Sequence, residues 1–124
     1  MKTKIVLSKS ARTFQVWQYK VSLGQLLIRS PKSPATETSP EVASNLDLFF
    51  RGTEYMAVPR YFEGLEILPP ASDEVQDLEL LLGKSLDPAD ITILFSNGRR
   101  FPVVASDLFC SENDSDIFDS LFEF

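Results

Sequence analysis

Histidine is missing from this chain of 124 residues. That removes the commonest general base, the commonest zinc ligand and the usual activator of a serine or cysteine nucleophile. Cysteine is nearly missing too. Cys110 stands alone, so no internal disulfide can form. A lone thiol without histidine reads as a buried, inert side chain rather than a nucleophile. The five glycines, at 24, 52, 64, 83 and 98, are isolated. A phosphate-binding loop needs them clustered, so that backbone can approach the anion. Each reads instead as a turn or a cap.

Long apolar runs are absent as well. None approaches the about 18 residues of a membrane helix. The basic start is followed by Ile5–Leu7, far too short for a secretory h-region. The expectation is a cytoplasmic protein with no membrane association, no cofactor, no metal and no catalytic residues. Carboxylate chemistry is the enzyme reading left open, with Asp87 and Asp90 as the pair to weigh. Their place beside Pro88, just before a strand, reads as turn and cap. A calcium loop at Glu112, Asp114, Asp116 and Glu123 fails because Ile117 sits where the sharp turn needs glycine.

Acidic residues are absent from the first 36 positions. Residues 1–62 hold nine basic and four acidic side chains; residues 63–124 hold three basic and fourteen acidic. The net charge is -6. Either the two halves compensate each other within the fold, or opposite poles steer partners and self-association. A pI near 4.6 argues against nucleic acid as the partner.

What is present supports one domain, residues 1–124. Apolar residues make up 44% and phenylalanines number ten, enough for a packed core. Residues 14–29 read as a hairpin. A two-residue Leu23-Gly24 loop would pair Val21 with Leu26 and Tyr19 with Ile28, putting Trp17, Tyr19 and Val21 on the apolar face. A bulge near Val16-Trp17 would reconcile the opposite parity of Phe14 and Val16. The Pro/Ser-rich stretch at about 30–45 has no apolar period and reads as a loop. Leu46, Leu48 and Phe50 alternate, Tyr55–Val58 resumes after Gly52, and Leu65–Leu68 gives one more strand.

The period then changes. Residues near 72–83 read as a helix capped by Ser72, with Val75, Leu78, Leu81 and Leu82 on one face and Gly83 ending it. Residues 90–104 form a hairpin around Asn97-Gly98. Apolar parity favours a three-residue Ser96-Asn97-Gly98 loop pairing Ile93 with Phe101 over a two-residue turn. At the C-terminus, Asn113 or Asp114 can cap a short helix whose apolar face carries Ile117, Phe118, Leu121 and Phe122. The fold expected is α+β: a mostly antiparallel sheet of about seven strands, curled into a partial barrel or sandwich, with a helix near 72–83 and a short C-terminal helix.

Function expectations follow from this layout. The role that fits is a non-catalytic protein–protein interaction module, one form being an inhibitor or immunity-type protein that masks a basic partner. The candidate partner-binding residues are Phe118, Leu121, Phe122, Phe124, Asp116 and Asp119. They would close the protein's own core, enter a partner's groove, or exchange with a second copy to make a homodimer. The alternatives are nucleic-acid or small-ligand binding on the sheet face, or a carboxylate-based enzyme. Lys20, Arg29, Arg99 and Arg100 are the candidate anion contacts. A nucleic-acid binder requires such residues in one contiguous basic patch.

Overall fold

The computed structural model describes residues 2–115. Among them run β1 (Lys2–Lys4), β2 (Lys9–Lys20), β3 (Gln25–Ser30), β4 (Asn45–Arg51), β5 (Tyr55–Met56), β6 (Tyr61–Leu68), α1 (Ser72–Leu82), β7 (Ile91–Ser96), β8 (Arg99–Val104) and β9 (Asp107–Asn113). All nine strands join one antiparallel sheet in the order β1-β9-β4-β3-β2-β6-β7-β8-β5. β1 and β5 stand at its ends and do not pair, so the sheet is open. The α+β class and the antiparallel sheet agree with the sequence. The strand count does not: β1 and β9 are added to the seven expected.

The connections force the sheet to curl. Only Ala105 and Ser106 link β8 to β9, yet these strands lie six places apart in the order. A flat sheet would separate them by about 29 Å at the usual strand spacing. The step from Val104 to Asp107 spans at most about 11 Å. Curling brings one face of β2, β3, β4, β6, β7 and β8 around a shared core that includes Phe14, Ile28, Leu48, Phe50, Phe62 and Leu94. Phe14 pairs with Phe62 across β2 and β6. Phe62 meets Phe101 edge to face, with ring centroids 5.8 Å apart. Each fully buried side chain of this size contributes about 1.5–3 kcal/mol relative to exposure.

A second cluster covers the other face of β7 and β8. There Val75, Leu78 and Leu82 of α1 pack on Ile91, Ile93 and Val104. The helix agrees with expectation over Ser72–Leu82, and Gly83 ends it in the left-handed conformation. The cap is one residue earlier than expected. Ala71 occupies it, and Glu74 reaches back to accept the Ala71 N–H at 2.8 Å. Leu81, expected on the packed face, is 61% exposed.

Both hairpin registers differ from those expected. In the first, Lys20 pairs with Gln25 and Tyr19 with Leu26, because Val21–Leu23 forms a 3-10 turn before Gly24. The expected bulge between Val16 and Gln18 is present. It turns Trp17 toward Leu27 and Phe49, away from the main core. Val21 is 79% exposed rather than on the packed face. In the second hairpin, Ser96 pairs with Arg99 and Ile93 with Pro102. The loop is the two-residue Asn97-Gly98 turn, with φ of 53° and 73°, as a type I′ turn requires. Apolar parity misleads here because both faces are buried: Leu94 and Val103 face the main core, while Ile93 and Val104 face α1.

The loop after β3 is closed by a bridge between Ser33 and Val42 and by a turn in which the Thr36 N–H donates to the Ser39 carbonyl at 2.8 Å. Asn113, expected to cap a helix, is instead the last residue of β9. The rest of that expected helix lies outside the described residues. Among the described residues no helix is long and apolar enough to cross a membrane.

Candidate interaction faces

Strand alternation gives β3, β4 and β9 a second, outer face. Leu27, Phe49 and Phe109 stand in one cross-strand row, and Arg29, Asp47 and Ser111 in the next. Arg29 donates from Nε and Nη2 to the two oxygens of Asp47, at 2.7 and 2.8 Å. Asn113 Nδ2 donates to Asp47 Oδ2 at 2.7 Å, and Asn45 Nδ2 donates to Asn113 Oδ1 at 3.0 Å. All of these polar residues are buried. The guanidinium of Arg29 also lies over the Trp17 ring, 5.5 Å from its centroid. A buried charge is tolerated only when paired and hydrogen-bonded, and this network meets that condition.

The candidate anion contacts are not brought together. Arg29 is 2% exposed and committed to Asp47. Arg100 binds Glu74 of α1 through Nε and Nη2, at 2.9 and 2.8 Å. Lys20 ends β2, while Arg99 begins β8, whose partner β7 meets β6 beside the start of β2. These two cations therefore sit toward opposite ends of a twelve-residue strand. The inside of the curl is filled by core phenylalanines, which removes it as a binding surface.

Arg12 was not singled out by the sequence, and the structure gives it a fastening role. Its Nε donates to Ser30 Oγ at 2.9 Å, and its Nη2 donates to the Ser30 and Ser44 carbonyls at 3.0 and 2.7 Å. It holds together the two ends of the 31–44 loop. Burial lowers its pKa, opposed by the charges of Glu112 and Asp47.

The acidic half of the chain presents a different kind of surface. Glu74 is tied to Arg100, and Lys84 Nζ to Glu54 Oε2 at 2.7 Å. Glu79 Oε2 accepts the Leu86 N–H at 2.8 Å. These contacts tie the start of α1 to β8 and the turn after α1 to the link between β4 and β5. They leave Asp73, Gln76, Asp77, Leu80 and Leu81 exposed along it, with Leu80 82% open to solvent. A shallow groove of about 510 Å³ runs beside Leu80, lined by Gln76, Glu79, Lys84 and Ser85. A smaller hollow of about 150 Å³ adjoins it and is rimmed by Glu54, Asp87 and Asp90.

Asp87 and Asp90 take the turn positions expected of them. Asp87 Oδ1 accepts the Ala89 N–H at 2.9 Å, and the Asp87 carbonyl accepts the Asp90 N–H at 2.9 Å. Among the described residues no group of three or more carboxylates or thiols is placed to hold a metal ion. Glu112 lies in β9 rather than in a calcium loop. Asp116, Phe118, Asp119, Leu121, Phe122 and Phe124 lie outside the described residues. Comparison of this chain with known protein families, with curated proteins and with solved structures finds no match in any of the three.

Proposed function

We propose that this protein is a non-catalytic interaction module whose docking surface is the exposed side of α1, and that its partner is a basic protein presenting an apolar side chain. The observation that carries this reading is the adjacent pair Leu80 and Leu81, exposed on a helix whose other solvent-facing residues include Asp73 and Asp77. Neither leucine is needed for the helix to dock, since Val75, Leu78 and Leu82 do that. A helix that needed only solubility would carry polar residues there. The groove beside Leu80 offers shape, and Asp77, Asp87 and Asp90 offer charge complementary to lysine or arginine. Masking of a basic surface by an inhibitor or immunity-type protein is the concrete form of this role.

The test is a titration of isotope-labelled protein with a synthetic amphipathic peptide of lysine and leucine, followed by amide NMR shifts. Shifts concentrated on residues 73–90, weakening as salt is raised, support the proposal. Shifts concentrated on the β2–β3 tip, or shifts insensitive to Leu80→Ser, contradict it.

A further inference from the structure

The tip between β2 and β3 carries chemistry complementary to the exposed side of α1. Val21–Leu23 forms a 3-10 turn that ends at Gly24. The Gly52 N–H donates to the Leu23 carbonyl at 3.1 Å, and the Thr53 N–H donates to the Gly24 carbonyl at 3.0 Å. The backbone of the tip is therefore pinned to the turn after β4. Its apolar side chains are left in water: Val21 is 79% exposed, Leu23 66% and Tyr19 40%. Lys20 stands exposed among them. The first 36 positions hold no acid. On the neighbouring turn and strand, Glu54 pairs with Lys84 and Asp107 with Arg51. Lys20 makes no ion pair among the described residues.

Single exposed apolar residues need no explanation, but grouped ones do. Among the described residues, Tyr19, Val21 and Leu23 at the tip and Leu80 and Leu81 on α1 make up most of the exposed large apolar side chains. The tip adds an uncompensated cation, and the helix adds Asp73 and Asp77. The two patches also adjoin. Gly52, whose N–H holds Leu23, lines the same hollow as Lys84 and Ser85. Lys84 and Ser85 in turn line the groove beside Leu80. Two molecules facing each other can therefore make one contact twice, tip to helix and helix to tip.

We infer that the partner of α1 is a second copy of this chain: the β2–β3 tip of one molecule docks on the Leu80–Leu81 face of another. Val21 and Leu23 pack on the two leucines, and Lys20 meets the acidic side of the helix at Asp73 and Asp77. The inference rests on the reading of α1 as a docking surface and names its occupant. Apolar burial supplies attraction without direction, and the opposite charges set which patch meets which. Contacts this small fall below the about 1,200 Å² of stable interfaces. The association is therefore reversible, dependent on concentration and weakened by salt.

The experiment is sedimentation velocity on the full chain over a range of concentrations. The wild type should move from monomer toward dimer as concentration rises. Val21→Ser combined with Leu23→Ser should weaken this tenfold or more, and so should Leu80→Ser combined with Leu81→Ser. All four side chains are exposed, so circular dichroism should show both variants folded. The sharpest arm mixes the two variants. Each keeps the surface that the other has lost, so the mixture should associate one to one although neither variant does so alone. A mixture that stays monomeric, or dimers that survive either pair of substitutions, would overturn the inference. A wild type that stays monomeric at every concentration would overturn it too. If the lysine–leucine peptide still shifts residues 73–90 of such a monomer, the α1 reading stands and only the second copy is excluded as its occupant.

Discussion

Arg29 and Asp47 stand directly opposite each other on β3 and β4 and form a two-pronged ion pair whose side chains are 3% and 5% exposed. Neither residue is near the core centred on Phe14 and Phe62. The pair lies on the opposite side of the sheet, which shows that both sides of these strands are interior. Breaking it leaves one charge buried without a partner.

Asp47→Ala should therefore destabilise the fold by about 3–5 kcal/mol, because Arg29 is left unpaired. Replacing both residues, as in Arg29→Met with Asp47→Leu, should recover most of that loss. Denaturant unfolding of the wild type and the two variants checks this. Equal losses in the single and double variants would contradict it.

Glu74 gives the pH dependence its sign. Hydrogen bonds from the Arg100 guanidinium, opposed by partial burial and helped by the Ala71 N–H, hold its carboxyl below the ordinary value of 4.5. The lowered pKa makes the contribution complete above that value and lost as pH falls through the folded one. Melting temperatures of the wild type and Glu74→Gln should differ by a constant amount near neutrality. The difference should shrink as the pH falls below 4.5.

Gly24 and Gly83 both adopt positive φ, of 59° and 70°. A Cβ at 83 would meet nothing within 4 Å, but at 24 it would come within 2.6 Å of the Thr53 backbone nitrogen. Gly83→Ala should cost about 1–2 kcal/mol for the left-handed conformation alone. Gly24→Ala should cost clearly more, since backbone cannot move aside as a flexible side chain does. Thermal or denaturant melts of the two variants make the comparison.

Cys110 faces the main core beside Leu48. Burial pushes its thiol up from 9.0, against a hydrogen bond with the Leu7 backbone. A disulfide reagent at mildly alkaline pH should react with it far more slowly in the folded protein than in guanidinium. Equal rates would contradict the placement.

The parts legible in the sequence are those marked by a local signal. The alternation of Leu46, Leu48 and Phe50 marked β4, and Gly83 marked the end of α1. The parts that were not legible depend on which residues meet across strands. In β7 and β8 both faces carry packed side chains, Leu94 and Val103 on one and Ile93 and Val104 on the other, so parity could not choose the register, whereas the positive-φ tolerance of Asn97-Gly98 carried the correct signal. β9 was hidden because its outward residues, Ser111 and Asn113, are polar yet buried in the Asp47 network. Arg29 read as a solvent-facing cation for the same reason. Its partner Asp47 was in view, but only the β3–β4 register shows that the two meet. Leu81 misled in the opposite sense. Helical spacing placed it with Leu78 and Leu82, although three apolar residues already suffice to dock α1.

The claim that matters most is that α1 separates its packing residues from its docking residues. One protein, Leu80→Ser combined with Leu81→Ser, tests it through two readouts: melting temperature, and affinity for the lysine–leucine peptide by calorimetry. The account predicts an essentially unchanged melting temperature and a loss of peptide binding of tenfold or more, equivalent to about 1.4 kcal/mol. A sharp fall in melting temperature with binding retained would show these leucines to be structural and would contradict it.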